Sequence, residues 1–301
     1  MVGTILGAIA ALSVVNPLQA PGIIDQYLTP GDQAQHVSEP VKRDPEDVGI
    51  KTNAKADFVA DLATGKVLYA KDPNTAYPIA SLSKLVTAMT YLDLHPDLNR
   101  LITFTDADFP PGDPSPFKPG DILTSHDVLQ AMLVGSVNSA AYALARTSIG
   151  EQNFVEAMNE KTENLGLWTP MFFEPSGLDP NNEASAADIA AILSFASGYP
   201  EIRAADALTT LDLTTLDPAK REVKIDSTNL LLDSFLNKKP YAVVAAKTGT
   251  LPQAGYCLAQ ITKNDNGHEV VAVELGSDTH FDRFQDIKAL TSWSFDAYEW
   301  K

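Results

Sequence analysis

The sequence predicts an α+β domain: an antiparallel sheet flanked by helices, with an all-helical subdomain inserted between its two halves. Three observations carry this. Strand-like alternation occupies Ala56 to Asp61 and Val67 to Ala70, on either side of the turn Ala63-Thr64-Gly65-Lys66. Helical spacing and helix caps dominate from Ser81 to about residue 205. Strand patterns then return from about Leu208, and one last helix closes the chain. Strands at both ends can share one sheet when the helical block is an insertion.

Each element has a local reason. Leu85, Val86, Met89 and Leu92 recur at helical spacing behind Ser81, and the helix ends before Pro96. Residues 103–121 are dense in Pro and Gly and read as loop and short strand. Thr124 and Asp127 have the spacing of a capping box and open a helix through Val134. Gly135-Ser136-Val137-Asn138 breaks it, and a small-residue helix runs from Ser139 to Ser148, with Gly150 as its stop. Asn153 to Leu165 is amphipathic. Residues 172–183 are a loop, and Ser185 with Asp188 caps an Ala- and Ile-rich helix. Strands follow at Leu211 to Leu216, Val223 to Asp226 and Tyr241 to Lys247. Cys257 to Lys263 and Glu269 to Leu275 flank Asn264-Asp265-Asn266-Gly267, a hairpin turn. The closing helix spans about Phe281 to Trp300.

At 301 residues and 45% hydrophobic, the chain buries a sizeable core. Its net charge of −17, from 39 acids against 22 Lys and Arg, excludes the basic face that a nucleic-acid binder needs. The single cysteine, Cys257, excludes an intrachain disulfide and reads as a small buried hydrophobe. The five histidines (His36, His95, His126, His268, His280) have no metal-ligand spacing, so neither a metal nor another cofactor is expected.

The N-terminal part has a different character. Residues 2–15 are apolar and uncharged, and Leu18-Gln19-Ala20 has the small-residue character of a cleavage site. Residues 1–20 read as an export signal or N-terminal anchor. Residues 21–50, with Pro21, Pro30, Pro40 and Pro45, read as a Pro-rich linker. Residues 51–301 form the folded domain, with its helical subdomain at about 81–205.

Ser81-Leu82-Ser83-Lys84 places a hydroxyl and an amine three residues apart, on one face of a helix N-terminus. Alone, this is as readily a helix cap with a solvated lysine. Two more polar clusters interrupt apolar surroundings: Ser136-Val137-Asn138 at a helix break, and Lys247-Thr248-Gly249-Thr250 at a strand end. S-x-x-K, S-x-N and K-T-G in that order form the motif set of penicillin-binding proteins and class A β-lactamases. A serine beside an amine is an activated nucleophile.

The chain resembles the serine D-alanyl-D-alanine carboxypeptidases, the low-molecular-mass penicillin-binding proteins of the peptidase S11 family. Pro78 to Leu85, Phe173-Glu174-Pro175-Ser176-Gly177-Leu178, Ser185 to Asp188, and Ala254 to Ala259 are similar to that family's signatures, as are Arg283 and the Leu290 to Phe295 stretch. The resemblance covers roughly residues 50–300. Ser139 departs from it, because many members have Asp there. A second departure is that the chain stops after the closing helix, without the β-rich C-terminal domain and C-terminal amphipathic anchor of some members, so anchoring is expected to fall to the N-terminal segment.

The resemblance implies a serine β-lactamase/DD-peptidase-like fold and acyl transfer through a covalent intermediate on Ser81, with Lys84 taking the serine proton. It implies an oxyanion hole from the backbone N–H groups of Ser81 and Thr250. Ser136 would relay the proton to the leaving amine, and Asn138 would hold the substrate backbone and Lys84. Lys247, Thr248, Gly249 and Thr250 would bind substrate, with Lys247 also part of the catalytic set. Arg283 is a candidate for the substrate carboxylate, with a surface ion pair to Asp282 or Asp286 as the alternative. The implied partner is a peptidoglycan stem peptide ending in D-Ala-D-Ala, with β-lactams as covalent inhibitors, no nucleic acid, and membrane contact only through the N-terminal segment. The implied location is extracytoplasmic. A D,D-endopeptidase, a class A-like β-lactamase and a catalytically inactive wall-binding domain are the alternatives. Glu174 is the only acid in its loop that a β-lactamase reading would use, and it falls inside the peptidase-like signature. Ser83 is expected to point away from the site and to be replaceable.

Overall fold

The computed structural model describes residues 38–301. The expected signal or anchor at 1–20 and the first part of the linker lie outside the described residues. Strands β1 (Ala56–Asp61) and β2 (Val67–Lys71) form the first hairpin. Its turn is fixed by Asp61, whose carboxylate accepts from the Thr64 N–H at 2.9 Å and the Thr64 hydroxyl at 2.6 Å.

The helical block follows: α1 (Ser83–Asp93), α2 (Ser125–Val134), α3 (Asn138–Ser148), α4 (Glu151–Asn164), α5 (Ala186–Ala196) and α6 (Pro200–Asp206). Thr124 caps α2 by accepting from the Asp127 N–H at 3.1 Å. Ser185 and Asp188 form a complete capping box on α5. Gly150 separates α3 from α4 at φ 86°, a conformation that costs glycine little. A separate hairpin, β3 (Thr210–Thr214) with β4 (Glu222–Asp226), leads back to the sheet strands β5 (Tyr241–Leu251), β6 (Gly255–Asn264) and β7 (Glu269–Ser277). The closing helix α7 (Asp282–Ala297) comes last.

The five-stranded sheet has the order β5-β6-β7-β1-β2 and is antiparallel throughout. The fold is α+β, an antiparallel sheet with a helical block inserted between its strands. The main core joins the helical block to one face of the sheet, and a second apolar cluster lies between the other face and α7. Helix α1 threads the main core, with Leu85, Val86, Ala88 and Met89 all at 0% exposure, as is Leu82 just before it. Each of its larger apolar side chains contributes about 1.5–3 kcal/mol by burial. This fixes the position of the residues at its N-terminus.

The folded body begins earlier than residue 51. Val41 and Lys42 pair antiparallel with Glu299 and Tyr298, and the Arg43 N–H donates to the Ala297 carbonyl at 2.8 Å. Trp293 donates to Asp47 at 2.8 Å. The last stretch of the expected linker is therefore a strand-paired strap, and α7 ends at Ala297 so that Tyr298 and Glu299 can receive it. Among the described residues, no helix is long and apolar enough to cross a membrane.

Candidate active site

Ser81 lies in a single 3₁₀ turn, Ala80–Leu82, immediately before α1. The sequence placed it in the first α-helical turn. The tighter turn arises because Ala80 is left-handed, at φ 49°, a conformation that a non-glycine residue holds only when its surroundings enforce it. Two glycines let those surroundings close in. A Cβ on Gly177 would lie 2.0 Å from the Ala80 carbonyl oxygen, and a Cβ on Gly249 would lie 2.7 Å from that of Ile79. The loop at 172–183 and strand β5 thus press on the turn from both sides.

Lys84 stands one turn after Ser81 and is fully buried. Its Nζ meets the Ser81 Oγ at 2.9 Å, the Asn138 Oδ1 at 2.6 Å and the Ser176 carbonyl. Across the cleft, Lys247 on β5 donates to the Ser136 Oγ at 2.8 Å and to the Thr248 carbonyl at 3.1 Å. Ser136, at φ 57° in the break between α2 and α3, is a second left-handed non-glycine residue beside the site. The Thr248 hydroxyl donates to Thr228 at 2.6 Å. β5 is an edge strand of the sheet, so alternate N–H groups along Lys247 to Leu251 have no strand partner on the cleft side.

Burial pushes the Lys84 ammonium down to about 7, while the charges of Glu174 and Asp113 oppose the shift. Burial holds Lys247 well below the ordinary lysine range, the positive charges of Lys84 and Arg283 push it the same way, and Asp206 opposes. Asp206 is itself raised to about 7 by burial.

Arg283 is not a surface ion pair. It is 3% exposed, and its Nη1 donates to the Gly249 carbonyl at 2.7 Å and the Thr250 hydroxyl at 2.9 Å. Its guanidinium packs over Tyr256 and Phe284, 5.4 and 4.7 Å from the ring centroids. A cavity of about 380 Å³ opens between Ser81, Ser136, Thr248, Thr250, Arg283, Leu230 and His280. A second, of about 290 Å³, shares Ser136 and Asn138 with the cleft and is walled by Asp113 and Lys224. A hydroxyl and a guanidinium line this cavity, and an amine able to be neutral near pH 7 contacts that hydroxyl from the buried side, an arrangement suited to acyl transfer.

The D-alanyl-D-alanine carboxypeptidase model of peptidase S11 matches residues 40–279. The chain belongs to the peptidase S11 family. A D-alanyl-D-alanine endopeptidase of Pseudomonas aeruginosa is 32% identical over 239 residues, covering 78% of this chain and 75% of that protein. A D-alanyl-D-alanine carboxypeptidase of Bacillus subtilis is 28% identical over 253 residues, covering 82% of this chain and 63% of the relative. Among solved structures, the Streptomyces K15 DD-transpeptidase superposes with a TM-score of 0.76 at 23% identity, over 83% of this chain and all of that one. It shares the fold.

The structure of this S11 chain brings Ser81, Lys84, Ser136, Asn138, Lys247, Thr248, Gly249, Thr250 and Arg283 to one cleft. Ser83 differs from expectation. It is fully buried, donates to the Ala80 carbonyl at 2.9 Å and accepts from Asn182 at 3.1 Å, so it braces the nucleophile turn. Sequence reasoning missed the Ser176 carbonyl, Thr228, Asp206 and Asp113. The Ser176 carbonyl is a backbone group, which no residue pattern reveals. Asp113 sits in the Pro-rich loop, where an acid between prolines reads as a solvated turn.

Proposed function

We propose that this S11 peptidase is a serine-type D-alanyl-D-alanine carboxypeptidase that releases the terminal D-alanine of peptidoglycan stem peptides through an acyl-enzyme on Ser81. The observation that carries the reading is the three-way contact of Lys84 Nζ with Ser81 Oγ, Asn138 Oδ1 and the Ser176 carbonyl. A neutral amine has two N–H donors and one lone pair. The two oxygens that only accept take the donors, so the lone pair faces the Ser81 hydroxyl.

Ser81 Oγ then bonds to the scissile carbonyl carbon while its proton passes to Lys84. Backbone N–H groups of Ser81 and Thr250 receive the oxyanion. The C–N bond breaks as the leaving amine takes a proton by way of Ser136, which Lys247 holds. Water cleaves the ester and returns a proton to Ser81 Oγ. Asn138 holds the substrate backbone. Lys247, Thr248 and Arg283 supply positive charge and a hydroxyl for the terminal carboxylate, and the Gly249–Thr250 backbone lines the substrate strand. Such a substrate places the enzyme on the extracytoplasmic side of the membrane, which agrees with the apolar run at residues 2–15.

Endopeptidase action on cross-links is the second reading, favoured by the name of the Pseudomonas aeruginosa relative. The β-lactamase reading loses support from Glu174. Its carboxylate accepts from the Ser176 N–H and hydroxyl, the Gly177 N–H, Asn182 and Tyr142. Both oxygens are committed to shaping the loop and have no place for a hydrolytic water.

Labelling with fluorescent penicillin, followed by mass spectrometry of the modified peptide, tests the reading. The label is expected on Ser81 with slow release. No label, or a label elsewhere, sinks the mechanism. A pentapeptide ending in D-Ala-D-Ala and a cross-linked dimer then separate the two peptidase activities by which one releases product.

A further inference from the structure

The orientation of the lysine lone pair depends on which way the Asn138 amide points. With its oxygen toward Lys84, the lone pair is left for Ser81. With its NH₂ toward Lys84, the amide would donate to that lone pair, and the serine would lose its acceptor. The other end of the amide settles this: Asn138 Nδ2 donates to Asp113 Oδ1 at 2.7 Å. A carboxylate only accepts, so the NH₂ must face it and the oxygen must face Lys84.

Asp113 is itself held. It belongs to the Pro-rich segment at 110–119, which the sequence marked as a loop. Ser115 shares a hydrogen bond of 2.6 Å with Ser139, next to Asn138. Phe117 is buried and stacked on Phe104 at 4.8 Å between centroids, and Arg221 donates to the Pro116 carbonyl at 3.0 Å. The second carboxylate oxygen, Asp113 Oδ2, is buried with no hydrogen-bond partner. Its charge is therefore not spent on another cation.

We propose that Asp113 is a positioning residue for the reaction at Ser81: it locks the Asn138 amide so that the lone pair of Lys84 faces the nucleophile, and it sets a carboxylate charge beside that lysine. The inference rests on the acyl-transfer reading above. The charged and titratable groups that bear on Lys84 are Glu174 from the loop after α4, Asp113 from the Pro-rich segment and Lys247 from β5. Tyr142 on α3 faces Glu174. Asp113 and Glu174 favour the protonated lysine and Lys247 disfavours it, so loss of Asp113 makes Lys84 easier to deprotonate.

The test is the acylation rate of the full chain by fluorescent penicillin between pH 5 and 9, for wild type, Asp113→Ala, Asp113→Asn and Ser115→Ala. Asp113→Ala is expected to acylate on the order of tenfold to a hundredfold more slowly, the cost of a misdirected catalytic group. Asp113→Asn loses less, because its amide oxygen still accepts when turned the right way. In both, the acid limb of the pH–rate profile moves to lower pH. Ser115→Ala releases the loop's bonds to Ser139 and to the Phe117 N–H without touching the Asp113 carboxylate, and leaves the limb in place. Wild-type rates in both Asp113 variants overturn the inference. So does a slower rate with the limb unmoved, which assigns Asp113 a structural role only. If Asp113→Ala does not fold, the limb of the isosteric Asp113→Asn decides alone. A wild-type chain that takes no label on Ser81 sinks the acyl-transfer reading itself, whereas a labelled wild type with unaltered variants sinks only this inference.

Discussion

Lys84 on the helical wall of the cleft and Lys247 on the sheet wall are both buried, at 0% and 2% exposure, yet the charges around them are opposite in sign. Glu174 and Asp113 act on Lys84, so burial lowers it only to about 7. Lys247 has Lys84 and Arg283 as neighbours, which add to the effect of burial, with Asp206 alone opposing. Two amines in one motif set thereby receive different chemistry. The acids keep the helical-wall lysine poised to exchange a proton near neutral pH. On the sheet wall the standing charge is Arg283, lowered only to about 10, and a carboxylate bound beside Lys247 would favour the charged form of that lysine.

The hardest blow to this contrast is Lys84→Met. Removing the proposed base is expected to slow acylation by a factor of about 10³ or more, read as the rate of labelling by fluorescent penicillin. In the wild type the same rate should rise with pH through about 7, because the proposed base acts in its neutral form. A flat profile across that range removes Lys84 from the role of base.

Arg283→Gln weakens the sheet wall alone. It is expected to lower kcat/KM for a peptide with a free terminal carboxylate by about 10- to 100-fold, the worth of one charge-assisted hydrogen bond. The same peptide with an amidated terminus should lose much less. Equal losses on both would show that the arginine braces β5 and Thr250 without reading the carboxylate.

The smallest effect concerns the ground behind the sheet wall. Glu274 on β7 is fully buried, faces Asp57 across the strands, and neither of its oxygens has a hydrogen-bond partner. Burial, then the charges of Asp57 and Asp286, raise its carboxyl to about 9. A raised acid binds its proton more tightly in the folded state than in the unfolded chain. Its contribution to stability is therefore complete below the ordinary carboxylate range and is lost as pH climbs toward 9. Glu274→Gln, which does not titrate, should raise the melting temperature by several degrees at pH 8 and by little near pH 4.5. An equal gain at both pH values would trace the effect to packing and leave the proton out of it.

The cleft was legible in the sequence where side-chain chemistry interrupts an apolar run. Ser81, Lys84, Ser136, Asn138 and Lys247 each stand out in this way, and the structure brings them together. That one antiparallel sheet takes strands from both ends of the chain was legible in outline, because strand patterns stand on either side of the helical block and because Asn264 to Gly267 specify a tight turn. What escaped had no local signature. The left-handed turn at Ala80 is imposed by Gly177 and Gly249, far away in the chain. The burial of Arg283 depends on Tyr256 and Phe284 closing over it, and its flanking acids gave the contrary impression of an exposed ion pair. The strap at 38–50 carries linker composition, and only its pairing with residues beyond α7 makes it structure.

That pairing brings the two limits of the described chain side by side, with the Ser38 hydroxyl donating to the Lys301 carbonyl at 2.7 Å. Nearby, Trp300 reaches the β1–β2 turn through a 2.8 Å hydrogen bond to Asp61. The described body is thus close to a covalent ring. A linker of a few residues should join 301 to 38, and the chain can then be reopened at the exposed turn around Asp265, where insertions and new ends are tolerated best. Such a permutant would present its ends at the β6–β7 turn while the three motif segments keep their relative order. Reporter or surface-attachment sequences could then be placed at a chosen point of the molecule.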